Sequence, residues 1–272
     1  MNYQIVKDEE HLKSFLSWIG IAELQTTESL LVNVSFRSKK LSDEERKALG
    51  ARNREMYMTK QLRPSRNGKV DIEHCINKFY ELEVPVRALT YNIGKPDQVS
   101  LPQGALVCYI CPNPSLESDV AIEHLISTID ILKNYVHASD KANALDQLAH
   151  HNTDFRSERS RLVKKNWIDF DIDLEDKLLT PIHTTIIRTV LTEQCPELHN
   201  THGFILNTSG GFHVLISKEC LQGNPENICK KLSKELGEVA TVKEVDYKSG
   251  GFYVPAPGTL QYGQHTVTFE RI

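Results

Sequence analysis

Two rhythms of apolar residues run along this 272-residue chain. One returns every three or four positions. It predicts helices over VDIEHCINKFYELE, SLESDVAIEHLISTIDILKNYVHA, LEDKLLTPIHTTIIRTVLTEQC and NPENICKKLSKELG, the last closed by Gly237 at its C-cap. SDEERKALGARNREMYMTKQL also reads as helical, with Ser42 as N-cap and acids in the first turn. ASDKANALDQLAHHN reads as a further helix. The second rhythm alternates, or runs apolar without a break. It predicts strands over ESLLVNVSFRSKK, PVRALTYNIG, GALVCYICPNP, LVKKNWIDFDID, THGFILNT, GFHVLIS and EVATVKEVDY, with two shorter strands in the final segment.

From about residue 160 the order is strand, helix, strand, strand, helix, strand. That is the split βαβ or ferredoxin-like order, an antiparallel sheet with two helices on one face. The expected class is α+β. An RRM/ferredoxin-like unit over 161–272 packs with an N-terminal α/β unit over 1–160 that carries a basic segment.

The strand WIDFDID poses a chemical problem. Ile168, Phe170 and Ile172 point one way, and Asp169, Asp171 and Asp173 the other. Asp is a poor strand former, and like charges on one strand face repel. Asp246 in VKEVDY falls in the last strand of the same unit, and His213 lies just past the turn Thr208-Ser209-Gly210-Gly211. Carboxylates gathered from these pieces need a counter-charge. Hard oxygen ligands suit Mg²⁺ or Mn²⁺, and two such ions can run phosphoryl transfer. Asp169, Asp171 and Asp246 are therefore the candidate metal-binding and catalytic residues. The Ser209-Gly210-Gly211 backbone and His213 are candidates for holding a nucleotide's phosphates. Asp173 reads as a helix-start residue instead. Each part has a plainer reading: a solvent-facing DxD, a structural His, an ordinary hairpin turn. The conjunction in one sheet favours the site.

Composition narrows the classes. Hydrophobic content of 40% and charged content of 25% suit a globular chain with a core. No run reaches the ~18 apolar residues of a membrane span, and the N-terminus lacks a signal-peptide core, so no membrane partner and a cytoplasmic location are expected. A net charge of −4 argues against a globally basic nucleic-acid binder. Local charge differs: Arg37 to Lys69 holds eleven Lys/Arg against four acids, and RSERSRLVKKN precedes the acidic strand. The six cysteines are too scattered for a disulfide scaffold. The CxxC of Cys108 and Cys111 reads as two small apolar strand residues, with a metal or redox role as the lesser alternative; Cys195, His199 and His202 are a similarly loose ligand set.

IDFDID, SGGFHVLI and EVDY together resemble the three motifs of the archaeo-eukaryotic primase superfamily, the primase-polymerases. PAPGTLQYG is similar to a turn often found after the third motif. The likeness covers about residues 160 to 265, and departs from the pattern in two places. Three residues separate serine from histidine in the middle motif, and no basic residue precedes PAPGT, with His265 or Arg271 as substitutes. The resemblance implies that 161–272 is a catalytic unit in which Asp169, Asp171 and Asp246 hold two ions. It implies a DNA primase or polymerase, making or extending primers from NTPs or dNTPs on a single-stranded DNA template, with any helicase a separate protein. It also implies that Arg37, Lys39 and Lys40 of FRSKK contact nucleic acid. The alternatives are a metal-dependent nuclease, another nucleotidyltransferase, or an inactive nucleic-acid-binding module. A carboxylate face repels phosphate unless metal is present, which counts against a plain binding module.

Overall fold

The computed structural model describes residues 1–38, 41–44, 54–65, 67–86, 88–91, 99–137, 141, 146, 159, 161–175, 181–195 and 203–272. The first part of the chain forms α1 (Glu9–Trp18), β1 (Glu28–Arg37), β2 (Arg54–Leu62), α2 (Ile72–Tyr80), β3 (Thr90–Tyr91), β4 (Val99–Ser100), β5 (Leu106–Leu116) and α3 (Glu117–His137). The second part forms β6 (Trp167–Leu174), α4 (Pro181–Gln194), β7 (Gly203–Thr208), β8 (Gly211–Ser217), α5 (Pro225–Gly237) and β9 (Val242–Ser249). Four short strands follow: β10 (Val254–Pro255), β11 (Leu260–Gln261), β12 (His265–Thr266) and β13 (Thr268–Arg271). The class is α+β with antiparallel sheets. No helix among the described residues is long and apolar enough to cross a membrane.

The first sheet runs β12-β11-β5-β1-β2, and β10 also pairs with β5. Its central strands β1 and β5 are buried along nearly their whole length, as strands covered on both faces are, with Asn33, Ser35 and Asn113 buried among their apolar residues. Cys108 and Cys111 lie three apart on β5 and so point to opposite faces. Both are fully buried, and burial pushes both thiols up, Cys111 to about 12. They serve as small apolar residues. Cys195 is likewise buried, its thiol pushed up to about 11, while His199 and His202 lie outside the described residues.

Residues 54–62 correct the helical reading of SDEERKALGARNREMYMTKQL. Asp43 and Glu44 do begin a helix after Ser42, but REMYMTKQL is β2, paired with β1 from Leu30↔Leu62 to Arg37↔Arg54. Its Glu, Met, Lys and Gln are helix formers, and the unsatisfied edge of β1 outweighs that preference. PVRALTYNIG yields only the two-residue β3, paired with β4. In α5, Gly237 is the last helical residue and Glu238 takes the C-cap position in a right-handed conformation, so no left-handed glycine closes this helix.

The second sheet runs β13-β7-β8-β6-β9, with β6 antiparallel to both neighbours. Ile168, Phe170 and Ile172 pack under α4 and α5, against Ile187, Leu191, Ile228 and Leu232. Trp167 points the other way, into a core shared with the first sheet through Phe204, Leu215 and Phe269. The 160/161 boundary separates the principal strands of the two sheets, but the chain after Ser249 crosses back. β10 and β11 pair with β5 before β13 returns to the edge of the second sheet. At the PAPGT turn, Gly258 (φ 80°) accepts from the Lys7 and Asp8 N–H groups, and a Cβ there would lie 2.3 Å from Asp8 O.

Asn113 of β5 joins the sheets. It is 1% exposed and uses its whole amide. Its Nδ2 donates to Trp167 O (3.0 Å) and Gly250 O (2.7 Å), and its Oδ1 accepts from the N–H groups of Asn166 (2.9 Å) and Trp167 (2.8 Å). One side chain thereby fixes the start of β6 and the end of β9. Asn113→Ala strands four backbone groups, several of them buried, and should lower unfolding free energy by about 3 kcal/mol. Urea denaturation of the two proteins checks this; a loss within error of zero would show that the clasp is redundant.

Candidate metal centre

Register places the site. In β6, Asp171 sits directly opposite His213 of β8 on one side and Asp246 of β9 on the other, while Asp169 sits opposite Lys248. Directly paired residues share a sheet face. All five side chains therefore start from the face turned away from α4 and α5. Gly211 makes the approach of β8 possible: a Cβ at this residue would lie 1.9 Å from Ile172 O, a contact no side chain tolerates. The special residue of the turn is thus Gly211. Gly210 takes no positive φ.

Asp169 is completely buried, and both its oxygens face His213 Nδ1, at 3.1 and 3.0 Å. His213 Nε2 lies 3.7 Å from Asp171 Oδ1, and Lys248 Nζ donates to Asp171 Oδ2. The result is an alternating row: carboxylate, imidazole, carboxylate, ammonium. Burial alone would lower the His213 pKa, but the charge of Asp169, its hydrogen bond and Asp171 together raise it above the ordinary value. Lys248 follows the same logic: burial lowers its pKa, and the hydrogen bond and charge of Asp171 carry it upward.

Asp169, Asp171 and His213 each offer a ligand atom, and these atoms lie within 4.8 Å of one another. Two carboxylates and one imidazole at that spacing can hold a divalent cation. Asp246 stands outside this group although it is in register. It is exposed, and its Oδ1 accepts from the N–H of Tyr247 at 2.8 Å. Asp173 is a β6 residue opposite Gly211 and Glu244, not a helix start, and it lines the same cleft as Asp171.

That cleft, about 110 Å³, lies between the two sheets. Arg37 at the end of β1 reaches it, as do Tyr109, Gln261 and Tyr262 from the first sheet. Arg37 hydrogen-bonds the Tyr262 side chain; burial and the Tyr109 phenol nevertheless push the Tyr262 hydroxyl up to about 12. Ser209 and Gly210 line the cleft too, but the Ser209 N–H already donates to Gln261 Oε1 at 2.8 Å. Lys39 and Lys40 lie outside the described residues. The second basic cluster falls elsewhere. Lys164 and Lys165 border a groove of about 900 Å³ at the opposite end of β6, with Lys218 and the Arg271 guanidinium stacked 3.3 Å over Trp18.

Lys248, Gln261 and Tyr262 were not legible as site residues from the motifs. Lys248 had an available signal, since it is two residues past Asp246 on a strand and must share its face. Gln261 and Tyr262 arrive through the chain's return to the first sheet, which no local pattern announces. Compared with known proteins, the chain matches no family model, no curated protein and no solved structure.

The raised His213 pKa has a consequence for stability. A group whose folded pKa exceeds its unfolded value stabilises the fold fully below the unfolded pKa, about 6.5, and loses that contribution as pH rises through the folded value. The stability lead of wild type over His213→Gln should therefore be larger at about pH 6 than at about pH 9. Denaturant unfolding across that range measures it, and a lead that grows with pH would contradict the ion-pair assignment.

Proposed function

We propose that the protein is a DNA primase/polymerase-type nucleotidyltransferase, making or extending primers from NTPs or dNTPs on a single-stranded DNA template. The observation that carries this reading is the grouping of Asp169, Asp171 and His213 within 4.8 Å on the face of β6 turned toward the cleft. The strand order β7-β8-β6-β9, with α4 and α5 on one face, supports an RRM-like catalytic unit for the C-terminal part. Fold order alone does not select an activity, so the side chains bear the argument.

In this reading Asp169 and Asp171 would hold Mg²⁺ or Mn²⁺, which would supply Lewis-acid stabilisation of charge on a phosphate. Asp246, one strand away and opposite Asp171, would have to turn inward to complete a second ion site. Lys248 leaves Asp171 and becomes a cation facing the triphosphate, and Arg37 meets the same phosphates from the first sheet. His213, held by Asp169, presents Nε2 toward the cleft. A primer 3′-hydroxyl attacks the α-phosphate, a P–O bond forms, and the bond to the departing pyrophosphate breaks. Pairing with the template selects the base, so the protein needs to hold shape and phosphate rather than read sequence. A separate helicase would supply the single strand.

Purified protein with Mn²⁺ or Mg²⁺ should extend a primed single-stranded template, or start on an unprimed one, and Asp171→Asn should lower the rate by about 100-fold or more. A gel assay with labelled nucleotides reads both. No incorporation by wild type with either ion, on any template, would remove the proposal; metal-dependent cleavage without synthesis would assign the site to a nuclease.

A further inference from the structure

Among the described residues, α3 is tied to the first sheet at its beginning. The Glu117 N–H donates to Thr27 O, the Glu117 carboxylate accepts from Ser29 Oγ at 2.6 Å and pairs with Arg159 at 3.0 Å, and Val120 is its only buried residue among those described. This helix has 21 residues, each adding about 1.5 Å of length. Along it Ile122, Leu125, Ile126, Ile129, Leu132 and Val136 are 41% to 70% exposed. Six large apolar side chains in one stripe present roughly 500 Å² per copy, toward the upper end of what monomers expose.

The spacing of the stripe says what covers it. Ile122, Ile129 and Val136 are seven apart, and Leu125 and Leu132 fall between them at the complementary heptad position. β-branched residues at a with leucine at d favour two parallel strands. The flanking e and g positions are Ala121, Ile126, Thr128, Lys133 and Tyr135, so a parallel pair sets no two like charges against each other. Two described residues that follow the helix contact a different face. Lys141 Nζ lies 5.7 Å over the Tyr135 ring, and Arg159 meets Glu117. Glu117 and Tyr135 are eighteen residues apart, five whole turns, so both contacts fall on the side shared with Val120 and His124, away from the stripe. Pairing two stripes would bury about 1,000 Å², the threshold for a specific interface.

We propose that α3 is a self-association surface, through which two copies of this chain pair as a short parallel coiled coil. This does not rest on the catalytic reading; it predicts only that two sites travel together.

Light scattering of the full chain at micromolar concentration should return twice the chain mass of 30.9 kDa. Leu125→Asp combined with Leu132→Asp should halve that mass with unchanged far-UV circular dichroism. Val136→Cys, at a heptad position where parallel helices meet themselves, should form an interchain disulfide on mild oxidation, a readout that survives if the charged variant fails to fold. A monomeric wild type would overturn the proposal, as would a charged variant that stays dimeric, or a dimer whose Val136→Cys form never cross-links. A monomer destabilised by the aspartates would show instead that the chain's own residues cover the stripe.

Discussion

Asp169 is the constraint around which the second sheet is arranged. A carboxylate with no solvent exposure must be paired or lose its charge, because removing an isolated ion from water costs more than folding can supply. Its hydrogen-bond partner, His213, comes from β8, while Lys248, opposite it in β9, donates to the neighbouring Asp171. Gly211 lets β8 come close enough, and Asn113 holds the start of β6 where the register requires it. Packing, backbone and charge thus converge on one short stretch of β6.

The row of alternating charges is self-consistent as it stands, and it is also exchangeable. Lys248 and the proton that His213 shares with Asp169 offset the carboxylates, and a divalent ion held by both carboxylates and the neutral imidazole would offer the same compensation. The row opens at Asp171 into a cleft that also receives Arg37. Asp171, Asp173, His213 and Lys248 line that cleft from the second sheet, and Arg37, Tyr109 and Tyr262 from the first.

Much of this was legible because a strand's side-chain period is two. The alternation in WIDFDID assigned both faces of β6 correctly, and the order of elements after residue 160 placed Asp171, His213 and Asp246 in one sheet. Where the reading failed, the deciding interaction was non-local. Arg54–Leu62 is rich in helix formers, and only the edge of β1 makes it a strand. The crossing of β10 and β11 into the first sheet, which delivers Gln261 and Tyr262 to the cleft, depends on β5, about 150 residues earlier. Asp173 was read as a helix start because a helix follows it closely, yet β6 continues to Leu174.

On the proposed reading, Asp169, Asp171 and His213 hold a divalent cation that displaces the Lys248 ammonium from Asp171. Titration of the full chain with Mn²⁺, followed by the electron paramagnetic resonance of the free ion, tests it most directly. Saturable binding is expected, abolished by Asp171→Asn and tightened by Lys248→Ala, since the ammonium no longer competes. Failure of the wild type to bind Mn²⁺ at millimolar concentration, or equal binding by Asp171→Asn, would contradict it.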